Sequence, residues 1–360
     1  MQIRLTVLIL LLLCPFLLLD QANANPQIST VNGVFSQGAS IVASGQSFGA
    51  KSPAAPLRYD NFENGVIGSP LDPDLWSLMP DSDNSFLAKH SRDRARVPGE
   101  TVAIQDYSQG YNATIGLWGM DCSKIYFSGW CYRDDYAGTA LNTTNRKLSG
   151  NFGKSVSGSY GFPQARVGTD GANNYGEHHY VTSDGSSDLH GDYYQPSADL
   201  WDRWFRLERY MDIGTPNGNN GRTWIAHDLT HDSEFSGTMY TEGSPYDYFI
   251  IGQYFRRDNG ALLKMYWGEL YVDNTLARIE IGNAATFEQC THREIQIPTG
   301  WSDGSVSFTA NLGTFDGTQN TYLYVINSLG EPSNGIPVTI NPVTPPPTGP
   351  GMPGQPQVVR

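Results

Sequence analysis

The stretch Arg203–Asp212 reads RWFRLERYMD, and its residue types can do chemistry. Successive side chains of a strand point to opposite faces. Trp204, Arg206, Glu208 and Tyr210 therefore share one face, and Phe205, Leu207, Arg209 and Met211 share the other. The second set is mostly apolar and suits the space between two sheets. The first set offers rings that stack on a sugar and polar groups that hydrogen-bond its hydroxyls. The same types can move a proton. A Tyr or His takes it from the carbon next to a carboxylate that Arg neutralises, and a Tyr returns one to the leaving oxygen. A bare Arg206–Glu208 ion pair on a solvated sheet is the alternative that needs no ligand.

Other strand-like runs extend this set. Tyr246, Tyr248, Gln253 and Tyr254 lie on DYFIIGQYF, Trp267 and Glu269 on KMYWGELYVD, and His178 and His179 on EHHY. The candidate ligand-binding residues are Trp204, Arg206, Glu208, Tyr210, Tyr248, Gln253, Trp267 and Glu269. The candidate proton-transfer residues are Arg206, Tyr210, His179 and Tyr254. His227 and His231 stand at i, i+4, a spacing that converges on a helix, and nothing nearby reads as helix. Asp60, Glu63, Asp188 and Asp192 lie in loop-like, oxygen-rich stretches of the kind that hold Ca²⁺. Ordinary loop acidity accounts for them equally, so the expected cofactor is none, with a structural calcium as the exception.

The elements that must position these residues are strands. Helical periodicity is nearly absent, whereas SIVASG, KIYFSGWCY, HHYVTSD, RTWIAHD, ARIEIG, REIQIP, SVSFTAN and YLYVINS are strand-length runs between clusters of turn residues. The turns PNGNNG at 216–221 and RDNG at 257–260 have hairpin chemistry, since Gly and Asn tolerate positive φ. An all-β fold follows.

Two family resemblances refine it. PQISTVNGVFSQGASIVASGQSFG, at 26–49, resembles the first two strands of an IPT/TIG domain, an immunoglobulin-like module. The elements that continue such a domain stand far downstream: Ile279-Glu280-Ile281-Gly282, Trp301-Ser302-Asp303 and TYLYVINSLGEPSNGIPVTI. Between them, YDNFENGVIGSPLDPDLWS and the later YWGELYVDNTLAR resemble the opening and closing strands of a concanavalin A-like lectin/glucanase jelly roll. Together they imply an Ig-like (TIG) sandwich, residues 25–57 and 278–342, interrupted by a jelly roll at 58–277. Surface loops tolerate such insertions because closure entropy grows only logarithmically with length. The jelly-roll resemblance also implies a groove for a saccharide chain on one sheet face.

Three functions are compatible with that architecture. The first is non-catalytic binding of extracellular carbohydrate or a cell-surface partner. The second is a polysaccharide lyase or hydrolase acting in the same groove, and the third is a structural surface or adhesion protein. Hydrolysis is the weaker enzymatic choice. It needs two carboxylates about 5–5.5 Å apart for retention, and no Glu-x-Asp-x-(x)-Glu strand is present. Alginate-lyase-style Arg-x-Glu-x-Arg and Gln-Ile/Val-His signatures are missing as well.

The ends of the chain and its charge set the setting. Arg4, the apolar run Leu5–Leu19 and Ala22-Asn23-Ala24 form a cleaved signal peptide, residues 1–24. The run is short of the ~20 residues a membrane helix needs. The expected location is secreted or cell-surface, with a polysaccharide or surface glycan as partner. A net charge of −13 argues against nucleic acid, whose binding draws on Lys and Arg. It also disfavours polyanions unless the basic residues cluster. The odd count of Cys122, Cys131 and Cys290 beyond the signal allows at most one bridge, and Cys122 and Cys131 would stand ~30 Å apart on one strand. The tail 343–360 is rich in Pro and Gly and reads as an extended linker.

Overall fold

Aromatic and β-branched residues fill the strand positions, and Gly, Asn and Asp fill the corners between them. In the computed structural model these runs form three sheets. It describes residues 25–80, 87–107, 113–134, 145–153, 161–170, 177–182, 188–194, 200, 202–239, 245–256 and 264–341; at 78–80, across 145–194 and at 253–256 it describes the backbone alone. Apart from a 3-10 turn at Phe287–Gln289, the regular elements are strands. The protein is an all-β sandwich protein.

The first sheet joins the two ends of the chain. Strands β1 (Gln27–Asn32) and β2 (Ser40–Gln46) precede the long middle segment. That segment contains β3 (Arg58–Asp60), β4 (Ser77–Pro80), β5 (Lys89–Ser91), β6 (Val102–Asp106), β7 (Ala113–Cys122), β8 (Lys124–Asp134) and β9 (Asn145–Gly153). It continues with β10 (Gly161–Asp170), β11 (Glu177–Thr182), β12 (Asp188–Tyr194), β13 (Trp204–Asp212), β14 (Gly221–His227), β15 (Thr230–Gly237), β16 (Tyr246–Arg256) and β17 (Lys264–Asp273). Strands β18 (Arg278–Gly282), β19 (Arg293–Ser302), β20 (Ser305–Thr309), β21 (Thr321–Ile326) and β22 (Ile336–Val338) follow it. The order β1-β2-β20-β19-β18-β21-β22 places residues from both ends of the chain side by side, with Ile41 opposite Phe308. Strand β19 pairs with β18 through Arg293–Gln296 and with β20 through Ile297–Ser302, shifting register next to Pro298. A strand that changes partners at such an irregularity turns one sheet into two facing layers. Ile41, Phe48, Ile279, Ile281, Phe308 and Val325 fill the space between them.

Gly45 lets β1 and β2 close up. A Cβ there would lie 1.9 Å from the Gln27 carbonyl oxygen and 2.6 Å from the Phe48 ring. The chain leaves this sandwich after Gly49 and re-enters at Arg278. Lys51 and Asp273 tie the two crossings with a buried ion pair at 2.8 Å, and Lys51 Nζ also donates to the Pro53 and Ala55 carbonyls.

The middle segment folds as a two-sheet jelly-roll sandwich. One sheet has eight strands, β15-β14-β13-β8-β17-β6-β5 with β3 beside β17, and the other has seven, β12-β11-β10-β9-β16-β7-β4. Phe205, Leu207, Met211, Phe127, Trp267, Phe249 and Ile251 are among the residues packed between them. Gln105 bridges the layers, accepting from Trp267 Nε1 at 2.7 Å and donating to the carbonyls of Ala113 and Ile251. Gly252, at φ +67°, leaves room for the Gln105 and Tyr107 side chains that a Cβ would strike. Strand β7 ends at Cys122 and β8 starts at Lys124, so a tight reversal separates the two cysteines. Cys122, Cys131 and Cys290 are all buried, and none of them is in a disulfide among the described residues.

Candidate functional site

Two regions carry the candidate residues: the junction between the jelly roll and the Ig-like sandwich, and the outer face of the seven-stranded sheet.

At the junction, β13 alternates as its sequence dictates, with Phe205, Leu207 and Met211 inward and Arg206, Glu208 and Tyr210 outward. The outward face is covered rather than open. Arg206, Glu208 and Tyr210 are 2%, 2% and 5% exposed, because the Ig-like sandwich packs onto this sheet. The expectation that they line an open groove is therefore replaced. Tyr210 belongs to an interface cluster with Tyr126, Trp224, Tyr271, Leu276 and Ile295. Arg206 donates through Nη2 to Glu208 at 3.2 Å and Glu280 at 3.1 Å, through Nη1 to the Arg293 carbonyl at 3.0 Å, and through Nε to Ser128 at 3.0 Å. Arg278 and Arg293 complete the set on Glu280 at 2.5 and 2.9 Å. Burial alone would raise Glu208 and Glu280; Arg206 and the other arginines outweigh it and hold both carboxyls below the ordinary range. Burial, with Asp212 adding to it, pushes the Tyr210 phenol up, which disfavours it as a proton acceptor at neutral pH.

Trp267 and Glu269 part company. A register shift in β17 between Trp267 and Leu270 puts Met265, Trp267, Leu270 and Val272 in the core. Glu269 lies on the other face. A bulge reverses the in–out alternation beyond it, so the expected groove position of Trp267 is a core position. Trp204 stays partly exposed at the start of β13, edge-on to Tyr132 at 5.7 Å. Glu269 accepts from Arg96 Nη2 at 2.8 Å and from Asn311 Nδ2 at 2.9 Å. Arg96 also pairs with Glu294 and lies over the Trp130 ring at 4.5 Å. Trp130 Nε1 donates to Glu294 at 2.9 Å, and His292 stands 3.0 Å from it.

This cluster separates two carboxyls. Burial raises Glu269; Arg96 opposes it, but Glu294 and Glu100 add repulsion, and the pKa rises from 4.5 to about 7. Burial also acts on Glu294, yet Arg96 and His292 bring it from 4.5 to about 2. Their contributions to stability run in opposite directions. Glu294 stabilises the fold above about pH 4.5, and this is lost as pH falls toward about 2. Glu269 stabilises it below about pH 4.5, and this is lost as pH rises through about 7. Melting temperature measured from pH 5 to about 8 is expected to decline less in Glu269→Gln than in the wild type; equal slopes would refute the assignment.

The metal candidates are engaged within the protein. Asp60 accepts from Trp76 Nε1 and from the Phe62 amide, both at 2.7 Å, and Glu63 accepts from the Thr101 amide at 2.7 Å. His227 contacts Asp232 at 2.7 Å, while His231 stacks on Trp224 at 4.6 Å. Among the described residues, no three His, Cys, Asp or Glu side chains gather to hold a metal ion. The side chains of His179, Asp188, Asp192, Gln253 and Tyr254 lie outside the described residues, although their strands are placed.

The seven-stranded sheet presents the second region. Phe249 and Ile251 face the core, while Tyr248 and Ile250 form a separate cluster on the other face, itself buried at 6% and 0% exposed. Trp118, 41% exposed, meets the Tyr248 ring edge-on at 4.5 Å. Cross-strand partners share a face, and register therefore groups residues in rows. Trp118, Tyr248, Phe152, Gln164 and Thr182 stand in one row. Gly116, Ile250, Gly150, Arg166, Tyr180 and Gly191 stand in the next. His179 stands opposite Val167 and Asp192, in the row of the core residue Ile251. Sequence reasoning passed over Trp118 because GLWGMD shows little alternation. It passed over Arg166 because a lone basic residue in a Gly-rich strand carries no motif.

Comparison with models of protein families and with characterised proteins finds no match. Several solved structures are similar at a distance. The alginate lyase of Aplysia kurodai is 8% identical, with 58% of this chain and 98% of that one covered and a TM-score of 0.41. The alginate lyase of a Chlorella virus is 15% identical, with 58% and 99% covered and a TM-score of 0.40. The binding domain of botulinum neurotoxin serotype G is 8% identical, with 79% of each chain covered and a TM-score of 0.40. No helix among the described residues is long and apolar enough to cross a membrane.

Proposed function

We propose that this chain is a secreted or surface protein that binds an extended glycan on the outer face of its seven-stranded sheet, without cleaving it. The observation that carries this reading is the Trp118–Tyr248 pair, an exposed ring braced edge-on by a second ring at 4.5 Å. Fixed in this way by the buried Tyr248, the Trp118 ring offers a flat apolar surface to the C–H face of a sugar at little entropic cost. The part of the eight-stranded sheet around Arg206, Glu208 and Tyr210 does not serve, because the Ig-like sandwich, which we read as TIG-like, covers it. The sandwich then acts as a platform that turns the remaining face outward.

A lyase acting on the same face is the second reading, favoured by register. Arg166 and Tyr180 are direct cross-strand partners, a neutralising and a proton-transferring type in one row. The version built on Arg206 and Tyr210 is set aside with their burial.

Trp118→Ala is expected to weaken binding to a retained polysaccharide about tenfold, as losing ~1.5 kcal/mol of aromatic contact implies, with an unchanged melting temperature. Affinity electrophoresis against acidic and neutral polysaccharides reads this out. Ultraviolet absorbance from a new conjugated double bond, abolished by Tyr180→Phe, would replace the binding reading with the lyase. Unaltered retention of Trp118→Ala would remove the face as the site.

A further inference from the structure

The loops of both sandwiches line an open cavity of about 640 Å³ at their junction. Its walls come from five separate parts of the chain: Gln37, the Asn61–Glu63 turn, the Arg96–Glu100 loop, the β17 bulge at Gly268–Glu269, and the 311–316 loop. That volume suits a small polar molecule.

The charges around it are unbalanced. Among the described residues, Arg96 is the one basic side chain on the wall, and it is already shared between Glu269 and Glu294. Glu63 and Glu100 each use one oxygen on a backbone amide, that of Thr101 and that of Val97. Among the described residues, neither they nor Asp316 has an ion-pair partner. Burial raises Glu100 from 4.5 to about 6, with Glu63 adding repulsion, although Arg96 opposes the rise.

A second feature is independent of the carboxylates. The Arg96 side chain is 4% exposed, and its Nε–H finds no acceptor. A buried N–H left without an acceptor is costly. A Cβ built on Gly268, on the cavity wall, would stand 3.6 Å from that nitrogen, so the orphan donor lies just behind the wall at that point. A hydroxyl oxygen is the acceptor this position fits. The amides of Gln37, Asn61 and Asn311 supply further hydroxyl partners, and Pro98, Leu312 and Phe315 provide apolar wall.

We propose that this junction cavity binds a saccharide unit carrying a protonated amine. The amine faces Glu63 and Glu100, and the hydroxyls face the Arg96 Nε–H and the amides. A neutral sugar would leave the carboxylates uncompensated, and a bare polyamine would leave the orphan donor and the amides unused. The site is separate from the sheet face proposed above and does not depend on it.

The test is a titration of the full mature chain with D-glucosamine, D-glucose and spermidine at neutral pH, followed by NMR shifts. Saturable glucosamine binding is expected, with glucose and spermidine each about tenfold weaker or more, the factor that ~1.4 kcal/mol represents. Glu100→Gln should weaken glucosamine about tenfold, because its amide oxygen still accepts from Val97 and only the charge is lost. Gly268→Ala, whose added methyl meets nothing closer than 3.5 Å, should weaken it while leaving the melting temperature unchanged. Trp118→Ala should leave it unaltered, which separates this site from the glycan face. Equal affinity for glucose and glucosamine, spermidine matching glucosamine, or no saturable binding at millimolar sugar would each overturn the proposal.

Discussion

Arg206→Ala is expected to destabilise the protein by about 3–5 kcal/mol, the cost of leaving a buried ion pair without one partner. Arg206 hydrogen-bonds Glu208, Glu280, Ser128 and the Arg293 carbonyl together. Without it Glu208 and Glu280 keep their positions with less positive charge, and both must take up protons or move apart. Calorimetry should show the loss as a lower, broader transition, or as two transitions if the jelly roll and the Ig-like sandwich uncouple. Arg206→Met with Glu208→Gln should recover part of it, because the second change removes the stranded charge. A folded Arg206→Ala protein with wild-type stability and lost glycan binding would instead return Arg206 to a ligand-contacting role.

Trp267→Ala is expected to cost a similar ~3–5 kcal/mol, the usual range for truncating a buried aromatic. The indole is fully buried between the sheets, packs edge-on against Phe127 at 6.1 Å, and donates to Gln105 Oε1 at 2.7 Å. Its removal opens a cavity and strands the acceptor of a residue that spans both layers. At ~2–4 °C per kcal/mol for a domain of this size, the melting temperature should fall by roughly 10 °C. Trp267→Phe should fall less. The protein that remains folded should bind glycan as the wild type does. A groove tryptophan would show the opposite pattern, lost binding with stability retained.

The sequence by itself determined the class of structure and much of its local orientation. Aromatic and β-branched runs with a period of two required strands, and the mostly apolar set Phe205, Leu207 and Met211 required that face of β13 to point inward. The Gly45-x-x-Phe48-Gly49 ending of β2 also had a local cause, since only glycine admits the Gln27 carbonyl. What lies over the opposite face of β13 was not legible. Alternation distinguishes inside from outside, and it cannot separate an outer face in water from one beneath another domain. That difference turned Arg206, Glu208 and Tyr210 from expected groove residues into interface residues.

Tertiary structure also decided Trp267 and the cavity. The bulge beyond Trp267 depends on how β17 meets β8, a pairing over more than a hundred residues that local periodicity does not encode. Gln37, Glu63, Arg96, Glu269 and Asn311 share no spacing in the chain and meet only because two sandwiches close on each other. Register likewise put Arg166 opposite Tyr180, though neither residue carries a signal of its own. Secondary structure follows from the preferences of neighbouring residues, whereas a site follows from which distant surfaces touch. Burial and charge compensation over the whole fold determine that contact.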